Sequence, residues 1–320
     1  MRAHASNLRR LEDADAEAVV ALYATAGSVE PGLGPVPLAD WQRFTKLPQN
    51  NGCQDFRVAE RGAQLIGLAE SSLRDQGHQK VRFFKLVVDP ATRRQGVATA
   101  LLDNLLAIEN SAENLSLQTL VSSRWDSGIA FMSALGFTHL ESEITMRCEC
   151  LVQPPTRASR EGVAFEKASD NGRYADDVAR IHNAAYASDV SFRRFSPEEM
   201  KRTLDGDDLW IALEGKNVIG FCHLQPEADI VWLESIAIEP TSHNRGLGSE
   251  LIYRALLSNN ARPDHPGLLN VSSKNASAIA VYRRLGFVPR HETLRFSASR
   301  GLVLTSLARR SAKLTATSST

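Results

Sequence analysis

The chain has 320 residues, 43% of them hydrophobic and 23% charged, with 37 Lys+Arg against 37 Asp+Glu. Such a length exceeds what one hydrophobic core usually serves, so two domains of about 150 residues are expected. Balanced charge leaves no basic footprint for nucleic acid, four cysteines make no disulfide framework, and no apolar run approaches the ~20 residues that span a bilayer. The opening residues, MRAHASNLRRLEDADAEAVV, place charges where a signal peptide needs its apolar stretch. A cytoplasmic protein with neither membrane nor nucleic-acid partner is the expectation.

In chain order, apolar spacing predicts a helix over 15–24 and another over 38–47. FRVAE (56–60) alternates as a strand and runs into a turn at Gly62. Strands follow at 64–70 and 81–90, then a glycine loop, a helix over 98–109, a strand, a helix ending in LGF at 135–137, and a last strand. That strand carries Cys148 and Cys150, a lone C-x-C read as structural because a metal site needs more ligands. LVQPPTRASREG (151–162) mixes Pro, Ser and charge and reads as a linker. The same order then returns: helices over 174–187 and 197–204, a strand at 209–214 with a turn at Gly215, strands at 217–223 and 231–240, and a glycine loop. A helix over 248–258, a strand, a helix ending in LGF at 285–287 and a final strand complete the set. After Arg300 the Ser/Thr-rich tail, with Arg309, Arg310 and Lys313, is expected to be frayed or disordered.

The return is a repeat. Residues 81–137 recur without a gap, 150 positions later, as 231–287. VSSRWDSGIAFMSALGF and VSSKNASAIAVYRRLGF agree at nine of seventeen positions, and Pro90, Gly96 and Leu101 meet Pro240, Gly246 and Leu251. Upstream, QLIGLAE and NVIGFCH are offset by 153, so the following hairpin connection is three residues longer in the first copy. The expected division is 1–150, a linker 151–162, a second domain 163–299 and a tail 300–320, each domain an α/β (α+β) sheet with helices.

In both copies a strand ends at a proline and a glycine loop opens a helix: IEPTSHNRGLG in the second, VDPATRRQGVA in the first. The glycines let the backbone turn sharply and approach a ligand, while unpaired N–H groups and the helix dipole favour an anion. Arg245, and Arg93 with Arg94 in the first copy, add donors. One such loop alone also fits an ordinary turn, and neither G-x-G-x-x-G nor G-x-x-x-x-G-K-[ST] occurs.

Together, V-x-P-x-x-[RQ]-x-x-G-x-[GA] and, further on, N-x-x-x-x-x-x-Y-x-x-x-G-F resemble the GNAT superfamily of acetyl-CoA-dependent N-acyltransferases. The second copy supplies both in IEPTSHNRGLG and NASAIAVYRRLGF, with His243 where the family usually has Arg or Gln; the first supplies VDPATRRQGVA and WDSGIAFMSALGF. The resemblance spans about 130 residues of each half. It implies two tandem domains, each a mixed, mostly antiparallel twisted sheet flanked by helices, and acetyl-CoA (acyl-CoA) as cosubstrate. It implies that pantetheine lies along the strand carrying Ile236, Ala237 and Ile238, and that pyrophosphate rests on His243, Asn244, Arg245, Gly246, Leu247, Gly248 and Ser249. In the first copy the corresponding residues are Val88, Arg93, Arg94, Gln95, Gly96, Val97 and Ala98.

Amide formation needs a neutral amine, hence a base, and the departing thiolate needs a proton. Glu234 lies mid-strand in VWLESIAI. It is either a solvated outward residue or, as the family often has it, a general base whose burial would raise its pKa to a useful range. Tyr282 is seven residues after Asn275, two helical turns, so both lie on one face. Tyr282 reads as a core aromatic or as the acid that protonates sulfur. Asn275 reads as a helix N-cap or a pantetheine contact, roles that can coexist. His223 is a second candidate base or a satisfied structural histidine; His182, Tyr186, Phe192 and Phe195 fall where the family builds acceptor walls, but also read as packing residues. At the ungapped offset Glu234, Tyr282 and Asn275 correspond to Phe84, Met132 and Trp125. The second copy is therefore expected to be catalytic and the first structural, or a cofactor binder without turnover. An N-acyltransferase acting on a small-molecule or peptide amine is the leading function. A CoA-binding sensor or scaffold, and acyl transfer to a hydroxyl, are the alternatives.

Overall fold

The computed structural model describes residues 7–47, 50, 54–75, 79–108, 115–156, 161–187, 189, 192–259 and 261–317. The first repeat forms β1 (Asn7–Arg10), α1 (Ala16–Gly27), α2 (Leu38–Lys46), β2 (Arg57–Arg61), β3 (Gln64–Asp75), β4 (Lys80–Val88), α3 (Val97–Leu106), β5 (Leu115–Ser122), α4 (Asp126–Ala134) and β6 (Thr138–Cys148). The second forms β7 (Val163–Lys167), α5 (Ala175–Ala185), α6 (Pro197–Thr203), β8 (Asp208–Glu214), β9 (Asn217–Pro226), β10 (Val231–Ile238), α7 (Leu247–Ser258), β11 (Gly267–Ser272), α8 (Ala276–Arg284) and β12 (Phe287–Ser299), followed by α9 (Arg300–Thr317).

Local chemistry accounts for these elements. α1 buries Val19, Leu22, Tyr23 and Ala26 at helical spacing. Ser196 and Glu199 close a capping box at the start of α6, with Pro197 in the first turn. α7 buries Leu247, Leu251, Ile252, Ala255 and Leu256. Cutting one of these, Leu251, to alanine costs about 2–5 kcal/mol.

The compact units are 1–140 with 293–320, and 141–292. They differ from a contiguous cut at residue 150, because each repeat's final strand pairs in the other repeat's unit. In the first unit the order is β1-β2-β3-β4-β5, then residues 293–299 of β12 beside β5. In the second it is β7-β8-β9-β10-β11, then residues 143–148 of β6 beside β11. Among the described residues one pair in each unit is parallel, β4 with β5 and β10 with β11. Both sheets are therefore mixed and mostly antiparallel, with helices packed on them. The exchanged strands pair in continuous register: Thr293 to Ser299 with Ser122 to Ser116, and Glu143 to Cys148 with Ser272 to Gly267.

Three sequence expectations change. The stretch after Arg300 is helical to Thr317, and Val303 and Leu307, one turn apart, are buried in the apolar cluster of the first unit; that burial holds in place a segment whose Ser/Thr content suggested fraying. A strand, β1 or β7, precedes the first helix of each repeat. Residues 151–156 of the expected linker are packed: Leu151 joins the core of the second unit, and the Val152 N–H bonds the Leu285 carbonyl at 3.0 Å. Gly286 makes room for them, since a Cβ there would lie 2.2 Å from the Cys150 carbonyl oxygen. Of the longer hairpin connection in the first copy, residues 76–78 lie outside the described residues, and β3 is two residues longer than β9 (12 against 10). Cys148 is buried in the core of the second unit, in line with a structural role.

Among the described residues no helix is long and apolar enough to cross a membrane, and no group of three or more His, Cys, Asp or Glu is placed to hold a metal ion.

Candidate active site

The site begins with a parting of strands. β10 and β11 pair only from Val231 with Gly267 to Leu233 with Leu269, while both strands run on. Beyond Leu233 they splay, and the gap opens on a cavity of about 1350 Å³ within the second unit. At the same point β10 bulges: Leu233 registers with Leu224 and Ser235 with His223, leaving Glu234 as the extra residue. A bulge re-aims its side chain, and Glu234 is exposed on the cavity wall. The burial expected of it is therefore not found.

At the far end of β10 the chain enters the glycine loop. Asn244 and Gly246 both take left-handed backbone angles, φ 63° and 77°. Gly246 begins α7 without a side-chain cap, and Glu250 N–H is the donor that returns to its carbonyl. The amides of Leu247, Gly248 and Ser249 are thus the open donors of a helix start, and all three residues line the cavity with Ser242, His243, Asn244 and Gly246. His243 spends its ring on the backbone, its Nε2 lying 2.8 Å from the Ile238 carbonyl. Arg245 is the exception among the predicted loop residues: its guanidinium reaches Glu214 at 2.8 Å instead of the cavity.

Asn275, at the start of α8, and Tyr282, within it, also line the cavity. Asn275 is an N-cap, its Oδ1 accepting from the Ala278 N–H at 3.0 Å, while its residue still faces the cavity. Tyr282 is 7% exposed and packs edge-on against Phe287 at 5.8 Å between centroids. Burial, with Tyr186 and Cys222 nearby, pushes its phenol well above the usual range. The hydroxyl therefore keeps its proton at neutral pH and can give it to a stronger base.

The remaining candidates divide. His223 is buried with Nε2 2.7 Å from Asp207 Oδ2, and neither residue lines the cavity; this is a satisfied internal pair. His182 lies among Tyr186, Phe192 and Phe195, with ring centroids at 4.8, 6.3 and 5.0 Å. Burial pushes its pKa down to about 4, so it stays neutral at pH 7. Tyr186 is more than packing. Its hydroxyl donates to the Ile236 carbonyl at 2.8 Å and accepts from the Ile236 N–H at 3.2 Å, and the residue lines the cavity.

Sequence reasoning did not place Glu141, Glu143 and residues 152–155 on this wall. They belong to β6 and the segment after it, which no local pattern assigns to the second unit. Glu141 is buried and accepts from the Ser272 hydroxyl at 3.1 Å.

The first unit repeats the loop without the chemistry. Arg94 and Gly96 take the same left-handed angles, φ 65° and 87°. Arg93 Nε bonds the Val88 carbonyl at 3.2 Å, as His243 bonds Ile238. Gln95 Oε1 accepts from Arg61 at 2.8 Å, and Val97 and Ala98 start α3 as Leu247 and Gly248 start α7. Phe84, Met132 and Trp125 pack together in one apolar cluster.

The second unit thus gathers a splayed parallel pair, a glycine loop opening a helix, and Glu234 and Tyr282 on the lining of one cavity. The acetyltransferase (GNAT) domain model matches residues 52–139 and again 205–289, more than half of the chain, and the protein belongs to that family. The chain is similar to mycothiol acetyltransferase from a Nocardioides species, 25% identical over 295 residues that cover 86% of this chain and 94% of that one. The same enzyme from Actinosynnema mirum is 27% identical over 294 residues, covering 87% and 93%. A tandem GNAT protein from the clavulanic acid biosynthesis pathway shares the fold, with a TM-score of 0.72 at 16% identity over 92% of this chain and 99% of that one. A GCN5-related N-acetyltransferase from Sphaerobacter thermophilus gives 0.69 at 16% identity, over 92% and 96%.

Proposed function

We propose that the second unit binds acetyl-CoA in the cavity between β10 and α8 and transfers its acetyl group to a primary amine of a small molecule, while the first unit does not turn over. One observation supports this above the others. The loop amides, Glu234 and Tyr282 all line a single cavity in the second unit, whereas their counterparts Phe84 and Met132 are buried in an apolar core.

The residues fit the cosubstrate. Open amides at 247–249 suit a pyrophosphate, and the edge of β10 from which β11 has parted suits an extended amide chain. Arg245, held by Glu214, is left out of that cradle. Acetyl-CoA supplies the activated acyl group as a thioester. The amine nitrogen attacks the carbonyl carbon, the C–N bond forms and the C–S bond breaks. Glu234, directly or through a water, takes the proton that the nitrogen loses, and Tyr282 gives its proton to the leaving sulfur. Glu234 sits at the bulge, next to the point where the strands part, so it stands beside the cavity rather than in the phosphate cradle.

The curated relatives named mycothiol acetyltransferase make the corresponding unacetylated amine the first acceptor to assay. Thiol release from acetyl-CoA should accelerate with that amine or with a related amine in a panel. Tight acetyl-CoA binding without thiol release on any amine or alcohol would favour the sensor reading instead.

A further inference from the structure

The gap between β10 and β11 is not left open along its whole length. Ile236 registers with Cys222 of β9, yet its own N–H and carbonyl both go to the Tyr186 hydroxyl. They point away from β9, toward the side from which β11 has departed. An open strand edge of this kind is what an extended, amide-bearing ligand pairs with. A single phenol hydroxyl, with one hydrogen to donate and lone pairs to accept, satisfies both groups at once. Tyr186 follows α5 directly, and its ring is anchored by His182 one turn back, at 4.8 Å. Burial pushes its phenol up to about 12, so the donated hydrogen is retained at neutral pH. The first unit has no equivalent arrangement at Tyr23, whose hydroxyl bonds Glu70.

We infer that Tyr186 and the amide-bearing arm of the acyl thioester compete for the same two backbone groups of Ile236. The inference rests on the acyl-CoA reading of this cavity. Tyr186 then keeps the edge satisfied until a ligand able to replace both hydrogen bonds arrives. A thioester with suitably spaced amides can do so, whereas a nucleotide bound only at the loop leaves Tyr186 where it is.

Tyr186→Phe tests this, because it keeps the ring against His182 and removes only the hydroxyl. Binding of acetyl-CoA and of 3′,5′-ADP, which lacks the pantetheine arm, is measured by calorimetry on the full chain, with a thermal melt to confirm folding. The variant should bind acetyl-CoA about fivefold or more tightly, the equivalent of one or two neutral hydrogen bonds no longer displaced. Its affinity for 3′,5′-ADP should stay within about twofold of the parent protein. Unchanged or weaker acetyl-CoA binding by a folded variant would overturn the competition and leave the acyl-CoA reading standing. Equal tightening of both ligands would overturn it too, since the effect would not lie at β10. Failure of the parent protein to bind acetyl-CoA at all would remove the acyl-CoA reading and this inference with it.

Discussion

The two glycine loops are near copies in geometry, yet the second opens on a cavity lined by Glu234 and Tyr282, whereas Phe84 and Met132 of the first repeat lie in an apolar cluster. Arg94 and Asn244, Gly96 and Gly246, share their left-handed angles, and Arg93 and His243 both cap the last carbonyl of the strand before the loop. That shared contact shows why the residue can change from Arg to His: the position closes the strand end, and any donor of the right reach does it. Around the loops everything else differs. Arg93 is held by Glu30 at 3.1 Å and lies over the Trp125 ring, and Phe84 stays in unbroken register with Ser71. Glu234, at the same place in β10, is pushed out by a bulge. Loop geometry is therefore common to both units, and the side chains placed beside it are what differ.

The sharpest way to break this comparison is Glu234→Gln. If Glu234 is the base, kcat on the true acceptor should fall about 10²–10³-fold with little change in the acetyl-CoA KM. Tyr282→Phe, which preserves the ring against Phe287, should lower kcat about tenfold or more without loss of stability. The double variant should lose less than the product of the two, because both act at one transition state. Near-wild-type turnover in both single variants would place the acid and base elsewhere.

Gly246→Asp and Gly96→Asp form a matched pair, since both put a side chain on a left-handed residue and carry the same backbone strain. The first should raise the acetyl-CoA KM about tenfold or more by setting a carboxylate against the pyrophosphate. The second should leave kcat and KM within about twofold. Loss of activity in a stable Gly96→Asp protein would end the division of labour between the units.

A smaller effect separates the units by pH. His182 stays neutral in the fold down to about pH 4, whereas in the unfolded chain it takes a proton near pH 6.5. Its contribution is whole above about pH 6.5 and is lost as the pH falls toward 4, because the unfolded state binds the proton first. Urea unfolding at pH 7.5 and 4.5 should show roughly 2 kcal/mol less acid sensitivity in His182→Phe than in the parent. The α1 helix of the first unit contains no histidine, so its unfolding should not carry this component.

Much of this was written locally. The repeat, the order of its helices and strands, the loop at 242–249 and the N-cap at Asn275 follow from spacing, glycine and proline placement, and side-chain chemistry, all of which act within a few residues. Glu234 was legible as a carboxylate set in an apolar strand and Tyr282 by its spacing from Asn275, and Phe84 and Met132 in the other repeat pointed to the second copy. Four features were decided only by tertiary structure. The exchange of β6 and β12 depends on which strand edge each meets, and both strands carry similar alternation, so no local pattern chooses. Glu141 and Glu143 reach the cavity only through that exchange. The exposure of Glu234 comes from a bulge set by its pairing with β9, and the Tyr186 hydroxyl finds Ile236, 50 positions away, only once α5 is packed on the sheet. Short-range propensity is encoded residue by residue, while edge partners, bulges and plugs depend on surfaces that exist only after the chain has folded.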